Sequence, residues 1–222
     1  VHGRVVFVGD SAHVVSPFGA RGGNGGIQDV DALGWRLAMV LGGAPDAMIS
    51  GYDAERMQGA DENILNSSRS TRFMSPDDGA GRVFRDAVLA LADRHAFARP
   101  MVNPGRLSLP CRYAWGLGVP DADLPARSAP GWPAPDAPLG DGWLLERLGR
   151  GFTVLGIGAD VGAVGGAEAI RLDLAEDPSG ALAARYLGGA AAAVLLIRPD
   201  QVIAARWTAF DAGAVRSAME AI

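Results

Sequence analysis

The sequence predicts an α/β protein, with helices concentrated in its first half and a small mixed sheet in its second. Three observations indicate this class. The first half contains long stretches with apolar residues at helical spacing. The second half contains short β-type runs, among them GFTVLGIG and AAVLLI, separated by helical segments and turns. An apolar run, RVVFVGD, opens the chain and is followed by a glycine-rich stretch and a helix.

The opening run, residues 4–10, is predicted to be a strand. It delivers Asp10 to the carboxyl end of that strand, where open α/β sheets bind ligands. A carboxylate fixed there accepts hydrogen bonds from sugar or polyol hydroxyls. A strand of this buried type normally has partners on both sides, so we expect the natural protein to continue upstream of Val1.

A loop with five glycines between Gly19 and Gly26 follows, and the next helix is predicted to start near Gly23-Asn24. A helix start presents free N–H groups and a partial positive charge, which favours an anionic or electron-rich ligand group. The glycines allow such a ligand to approach the backbone closely. The helix has a predicted apolar face formed by Ile27, Val30, Leu33, Gly34, Leu37, Ala38 and Leu41.

Two more helices are predicted in the first half. The first carries Met48, Ile49, Tyr52, Met57, Ile64 and Leu65 at helical spacing, with Pro76 as a stop. The second places Val83, Phe84, Ala87, Val88, Leu91 and Ala92 on one face. We interpret these methionine and aromatic positions as core residues rather than cofactor contacts.

Residues 106–142 contain seven prolines and few periodic apolar positions, so they are predicted to form an extended connection. Beyond them, the strands FTVLGIG and AIRLDL, a helix near SGALAARYLG, a hairpin turning at Pro199-Asp200 and a helix from Asp211 indicate a small α/β domain. The glycine cluster after FTVLGIG is followed by an acid, Asp173, as in a dinucleotide-binding unit. A crossover helix needs ~10–12 residues plus its turns, so we interpret this cluster as a loop.

Composition excludes several function classes. The net charge of −5 is spread evenly along the chain, so no basic patch favours nucleic acid. The sequence has no lysine, which excludes a lysine-containing P-loop and a Schiff base, and its one cysteine, Cys111, excludes an internal disulfide and a CxxC pair. No apolar run reaches the ~18 residues of a membrane span. We expect a cytoplasmic protein with no metal site.

Residues 4–37 resemble the second flavin-binding motif of the group A FAD-dependent aromatic monooxygenases. The positions that match this motif are Arg4, Gly9, Asp10, Ala12, His13, Pro17, Gly19, Gly22, Asn24, Gly26, Ile27, Gln28, Asp29, Leu33, Trp35 and Leu37. The similarity continues through YDAERMQGADENILNSSRSTRFMSP and GWPAPDAPL to LLIRPDQVIAARW. It therefore covers nearly the whole chain and resembles the phenol hydroxylase and 3-(3-hydroxyphenyl)propionate hydroxylase branch.

The resemblance implies roles for individual residues. Asp10 would hold the ribityl chain of FAD. The residues implied to line the flavin are Pro17, Gly19, Gly22, Gly23 and Asn24. The place of His13 in the motif suggests that it packs within the loop, because nothing nearby in the sequence supplies a nucleophile or an orienting group. No catalytic residue is assigned in this chain.

The resemblance also implies a domain organisation. Residues 1–45 would be the C-terminal part of an FAD-binding domain, 46–105 a helical segment, and 106–222 a thioredoxin-like domain with a Pro-rich entry strap. The GxGxxG unit that this family uses for the ADP half of FAD is absent from the sequence. The chain therefore resembles the C-terminal portion of such an enzyme.

The implied activity is hydroxylation of a small aromatic, phenolic substrate with FAD, NAD(P)H and O2. The expected macromolecular partner is a second copy in a homodimer or the missing N-terminal half. An alternative is a non-catalytic structural or dimerisation module, which the missing ADP-binding half and the absence of a CxxC pair favour. Bound FAD would distinguish the two interpretations.

Overall fold

The computed structural model of the chain describes residues 1–17, 19–106, 109–114 and 122–222. These residues form two compact units, Val1–Cys111 and Arg112–Ile222. The predicted α/β class is confirmed, because the first unit is helical and the second is built on a four-stranded sheet. Within the predicted Pro-rich connection, residues 107–108 and 115–121 lie outside the described residues.

Three long helices make up most of the first unit. They are α1 (Arg21–Leu41), α2 (Ala47–Met74) and α3 (Gly79–Arg94), and the short helix α4 (Arg99–Val102) follows them. Asp78 caps α3, since its side chain accepts a hydrogen bond of 2.6 Å from the N–H of Gly81. The two helices predicted after α1 are thus confirmed, and α2 ends two residues before Pro76.

The predicted strand over residues 4–10 is wrong. His2 and Val5 form an isolated antiparallel bridge, and Gly9–Ser11 form a 3₁₀ turn. Val5 and Phe7 are about half exposed, at 54% and 50%. An apolar run becomes a strand only where a neighbouring strand supplies hydrogen bonds, and the described part of the first unit contains no strand to pair with it.

Two expectations about α1 are also corrected. The helix begins at Arg21, so Gly22, Gly23, Gly25 and Gly26 are helical rather than part of a loop. Its predicted apolar face is largely exposed, with Ile27, Val30 and Leu41 at 69%, 61% and 80%. The face that packs against α2 is the opposite one and consists of Gly25, Asp29, Ala32 and Arg36. The charged residues of this face pair with buried charges on α2, as buried charges require.

The second unit contains a four-stranded sheet in the order β4-β3-β5-β6. Its strands are β3 (Thr153–Ile157), β4 (Glu168–Leu172), β5 (Ala193–Ile197) and β6 (Ile203–Trp207), and a small antiparallel pair, β1 (Pro138–Leu139) and β2 (Gly142–Trp143), precedes them. Strand β3 is parallel to β4 and antiparallel to β5, and β5 is antiparallel to β6. The sheet is mixed, as the sequence predicts for the second half of the chain.

The sheet forms the core of the second unit. Strands β3 and β5 are buried along their whole length, which explains their continuous apolar sequences. The helices of this unit are α5 (Leu144–Arg147), α6 (Ala181–Tyr186) and α7 (Ala212–Glu220). Leu182 and Tyr186 of α6 belong to the same apolar cluster as β3 and β5. The strands, the hairpin and both longer helices predicted here are confirmed.

The glycine cluster between β3 and β4 is an irregular loop, as predicted. A side chain at Gly156 would meet the carbonyl oxygen of Ala159 at 2.5 Å, so the loop folds directly over the strand at this residue. No helix intervenes in this connection. The cluster therefore lacks the helix that would present its N–H groups to a dinucleotide phosphate.

A buried ion pair closes the β5–β6 hairpin. The guanidinium of Arg198 donates to both carboxylate oxygens of Asp200, over 2.9 Å from Nε and 2.6 Å from NH2. The two side chains are only 3% and 4% exposed. Gln201 completes the turn in the left-handed region with φ 60°.

Across the described residues, none of the helices combines the length and the apolarity that crossing a membrane requires.

Candidate functional site

The structure brings the predicted site residues to the N-terminal end of α1. Asp10 lies in the 3₁₀ turn, with Oδ1 4.0 Å from the point where a Cβ of Gly22 would lie. Pro17 and Gly19 form the turn before the helix, in which the N–H of Ala20 donates to the Pro17 carbonyl over 3.1 Å. The positive φ of Gly19, 86°, requires glycine there.

Asn24 lies one turn into α1. Its Nδ2 donates to the carbonyl of Ala20 over 2.8 Å, so this side chain fastens the helix to the preceding turn. Asn24 and Gly23 are exposed, whereas Gly22 is half-buried. Among the described residues, no atom outside the helix backbone and the adjoining residues lies within 4 Å of a Cβ built on Gly23. The backbone of this first turn is therefore open to a ligand.

The first turn of α1 is electropositive. The N–H groups of Gly22 and Gly23 have no acceptor within the helix, because they precede the first complete helical turn. No side chain caps this end of the helix. The aligned peptide dipoles add a partial positive charge here.

The Asp10 carboxylate lies beside this electropositive turn and is exposed. Across the described part of the chain, it makes no hydrogen bond or ion pair. A carboxylate that accepts hydrogen bonds thus stands next to backbone groups that donate them. The arrangement suits a ligand with hydroxyl groups beside an electron-rich ring or an anion.

A buried carboxylate, Asp29, lies beneath this surface. Its Oδ2 accepts hydrogen bonds from the N–H of Gly9 over 2.7 Å and from His13 Nε2 over 2.8 Å. Its Oδ1 accepts one from Arg56 Nε over 2.6 Å. The Asp29 side chain is 1% exposed. Burial raises the pKa of Asp29, but the hydrogen bonds from Arg56 and Gly9 outweigh it and hold the pKa below its usual value.

A second buried ion pair joins the same two helices. Arg36 NH2 donates to Glu55 Oε2 over 2.8 Å, and both side chains are 1% exposed. Arg36 NH1 also donates to the carbonyl of Ala32 over 2.8 Å. Two buried charge pairs therefore connect α1 to α2.

His13 has an orienting partner that its sequence neighbourhood does not reveal. Asp29 holds its Nε2, and its Cε1 lies 3.2 Å from the position of a Cβ on Gly25. Because Asp29 accepts at Nε2, the neutral ring carries its proton there. The ring fills the space that the missing side chain of Gly25 leaves on α1.

Tyr52 attaches α2 to the opening segment. Its hydroxyl donates to the carbonyl of Phe7 over 3.1 Å. Burial, followed by the charge of Asp29, raises the pKa of Tyr52 to about 12. The opening segment is thus held by side chains of α1 and α2, in place of the strand pairing that the sequence predicted.

Sequence reasoning assigned no role to Asp29 or Arg56, and it interpreted Tyr52 as a core residue, which its exposure of 3% confirms. His13 and Asp29 both fall within the motif that resembles flavin monooxygenases, and Arg56 lies in the stretch YDAERMQ that extends the resemblance. A polar residue on a helix is usually solvated, so spacing gave no sign of burial. One sequence signal pointed to Asp29. It matches a fixed position of the motif, and a carboxylate in contact with solvent alone would not need a fixed position.

The ionised state of Asp29 makes the first unit acid-sensitive. Since its pKa is lowered on folding, its contribution to stability is present above the unfolded value of about 3.9 and is lost as the pH falls through the folded value. We expect the urea midpoint of the first unit, followed by helical circular dichroism, to fall between about pH 5 and pH 3. The Asp29→Asn variant should start lower and lose less over this interval. An equal loss in both proteins would contradict the assignment.

Comparisons with known proteins match this site to flavin proteins. A family described as FAD binding domain matches residues 1–67. The 3-(3-hydroxy-phenyl)propionate/3-hydroxycinnamic acid hydroxylase of Mycolicibacterium vanbaalenii is 27% identical, over 99% of the chain and 44% of that relative. The tetracenomycin A2 monooxygenase-dioxygenase of Streptomyces glaucescens is 34% identical, over 99% of the chain and 41% of that relative.

Solved structures show the same similarity. The crystal structure of aklavinone-11 hydroxylase in a ternary complex with FAD and aklavinone matches with a TM-score of 0.68 and 25% identity, over 99% of the chain and 44% of that structure. The chain thus spans less than half the length of these relatives.

Proposed function

We propose a flavin-binding function from the premise that this chain belongs to the FAD-dependent aromatic hydroxylases and represents the C-terminal portion of one. Asp10 and the start of α1 would bind the flavin part of FAD. The whole protein would hydroxylate a phenolic aromatic substrate with NAD(P)H and O2. The phenolic class is chosen because the relative from Mycolicibacterium vanbaalenii is named for a hydroxyphenyl substrate. The proposed macromolecular partner is the N-terminal half of the protein or, in a homodimer, a second copy of the protein.

One observation carries this proposal: an exposed carboxylate without a partner in the described residues lies beside the open first turn of a helix. The ribityl chain of a flavin offers hydroxyl donors, and its ring offers electron-rich oxygen and nitrogen atoms. Asp10 suits the first of these, and the N–H groups of Gly22 and Gly23 suit the second. The residues present therefore fit the cofactor.

Bound FAD would supply the redox chemistry that takes electrons from NAD(P)H and activates O2. The chain would supply binding and electrostatics. Asp10 would accept hydrogen bonds from ribityl hydroxyls and so fix the ring along α1. Pro17, Gly19 and Asn24 would shape the turn that borders the ring. The N–H groups of the first turn would stabilise negative charge that develops on the ring.

The Asp10→Ala variant tests the ribityl contact. We expect flavin affinity to fall by about 1.5–3 kcal/mol, because a hydrogen bond to a charged acceptor is lost. Fluorescence titration of this chain with riboflavin and with lumiflavin, which lacks the ribityl chain, would measure the change. Only the riboflavin affinity should fall.

Asp93→Ala is a suitable control, since Asp93 is an exposed carboxylate on α3. Its removal changes the net charge equally and should leave both affinities unchanged. A loss of riboflavin affinity in both variants, or in neither, would sink the assignment of Asp10.

The second unit is proposed to have no thiol redox chemistry of its own. The one cysteine of the sequence, Cys111, is the last residue of the first unit, and burial raises the pKa of its thiol. Thiol–disulfide exchange needs an attacking thiolate and a resolving sulfur. Dithiol reductase activity of the chain would overturn this assignment. The proposed division of the chain is 1–45, 46–105 and 106–222, and the second unit falls within the last of these ranges.

A non-catalytic association module is the second candidate, and the exposed apolar face of α3 favours it. Val83, Phe84 and Leu91 are 71%, 57% and 41% exposed on that helix. Contiguous apolar surface of this kind is typical of an interface. A protein that binds no flavin but sediments as a dimer would favour the module over the flavin site.

A further inference from the structure

We propose that Asp29, held by Arg56, is a positioning residue: it fixes the Gly9–Asp10 turn so that the Asp10 carboxylate faces the first turn of α1. The inference rests on the proposed function, because flavin is the ligand that Asp10 would meet. Neither Asp29 nor Arg56 would touch that ligand. They would act through the turn.

The turn depends on side chains from outside it. Gly9 has a φ of +58° and lies against Gly26 of α1, where a Cβ on Gly26 would be 3.4 Å from the Gly9 Cα. Its N–H donates to Asp29 Oδ2 over 2.7 Å. Asp10 is the next residue, and its own side chain makes no hydrogen bond within the described chain. The backbone at Gly9 therefore sets the position of the Asp10 Cα and Cβ, from which the carboxylate reaches the first turn of α1.

Asp29 is itself prevented from rotating. Arg56 on α2 occupies Oδ1, while Gly9 and His13 share Oδ2. A carboxylate whose two oxygens face different elements has one orientation only. The Arg56–Asp29 salt bridge thus connects α2 to the Gly9–Asp10 turn. The two side chains are 5% and 1% exposed.

An Asp29→Asn substitution changes one atom and breaks this arrangement. The charged guanidinium of Arg56 competes best for the single amide oxygen, which leaves the amide NH2 facing the Gly9 N–H. Two donors then oppose each other, and the turn is released. Glu55→Gln is the matched control, because Glu55 is an equally buried carboxylate whose hydrogen bond to Arg36 joins α1 and α2 rather than the turn.

The experiment measures amide hydrogen exchange of Gly9 by NMR in the wild-type chain and both variants, with riboflavin titrations in parallel. We expect protection of the Gly9 N–H to fall at least about tenfold in Asp29→Asn and to stay unchanged in Glu55→Gln. Riboflavin affinity should fall about tenfold in Asp29→Asn only, and lumiflavin affinity should fall less. A purely structural role would lower global stability in both variants without separating them.

Unchanged Gly9 protection in Asp29→Asn overturns the positioning role, and so does a released turn with wild-type riboflavin affinity. If the wild-type chain binds no flavin, the proposed function fails, while Gly9 exchange still decides whether Asp29 holds the turn. Should Asp29→Asn fail to fold, native-state exchange of the wild-type chain replaces it. Gly9 must then exchange with the amides of α1 around Asp29, and free exchange of Gly9 overturns the proposal.

Discussion

Replacing Gly23 with valine is expected to abolish flavin binding by the chain while leaving both units folded. Gly23 lies in the first turn of α1, and a Cβ built on it has no atom within 4 Å. The described structure therefore leaves open space at the Cβ position of Gly23. A ligand lying against the N–H groups of that turn would clash with valine, because the isopropyl group fills the same space. Fluorescence titration with FAD and a thermal unfolding curve measure the two effects.

Gly34→Val provides the control for this variant. Gly34 lies further along α1, and a Cβ built there also meets no atom within 4 Å. Both substitutions replace a glycine of the same helix with valine. Flavin affinity of the Gly34 variant should equal that of the wild type. If the Gly23 variant retains wild-type flavin affinity as well, the glycines of this turn are needed only for the backbone conformation and not for flavin binding.

Removing the arginine of the hairpin pair is expected to destabilise the second unit by about 3–5 kcal/mol, since it leaves a buried carboxylate without its counter-charge. In the wild-type protein Asp200 is 4% exposed, and the guanidinium closes the turn with two hydrogen bonds that Arg198→Ala would remove. Chemical denaturation, with amide exchange on β5 and β6 as a local probe, would measure the loss.

Arg171→Ala is the matched control for the hairpin. Arg171 pairs with Asp160 on the surface of the same unit, where the side chains are 62% and 86% exposed. Exposed pairs contribute about 0–1 kcal/mol, so this variant should unfold close to the wild type. Equal losses in the two variants would show that burial does not determine the strength of the Arg198 pair.

The hydrophobic pattern of the sequence predicted most helices and strands of the second unit correctly. Strands β3 and β5 are buried on both faces, so their sequences are continuous apolar runs. The same rule failed for residues 4–10, which have an equally apolar sequence. In the structure no strand of the described first unit lies beside them, so the segment is held instead by Tyr52 and Asp29.

The candidate site was predicted from the motif rather than from hydrophobic periodicity. Asp10 and the glycines around it lie together because they are close in sequence on either side of one turn. Asp29 and Arg56 are separated by 27 positions and meet only because α1 packs on α2 through its polar face. Helical spacing favours burial of Ile27 and Val30, so it predicted the opposite face. The face that packs carries the buried charge pairs, which spacing does not reveal.

The most direct test of the central claim is the visible absorption spectrum of the purified chain after incubation with FAD and gel filtration. We expect the protein peak to carry the yellow flavin spectrum with about one FAD per chain, and we expect Asp10→Ala or Gly23→Val to remove it. A colourless wild-type protein peak, with all of the FAD eluting as free cofactor, would contradict the central claim.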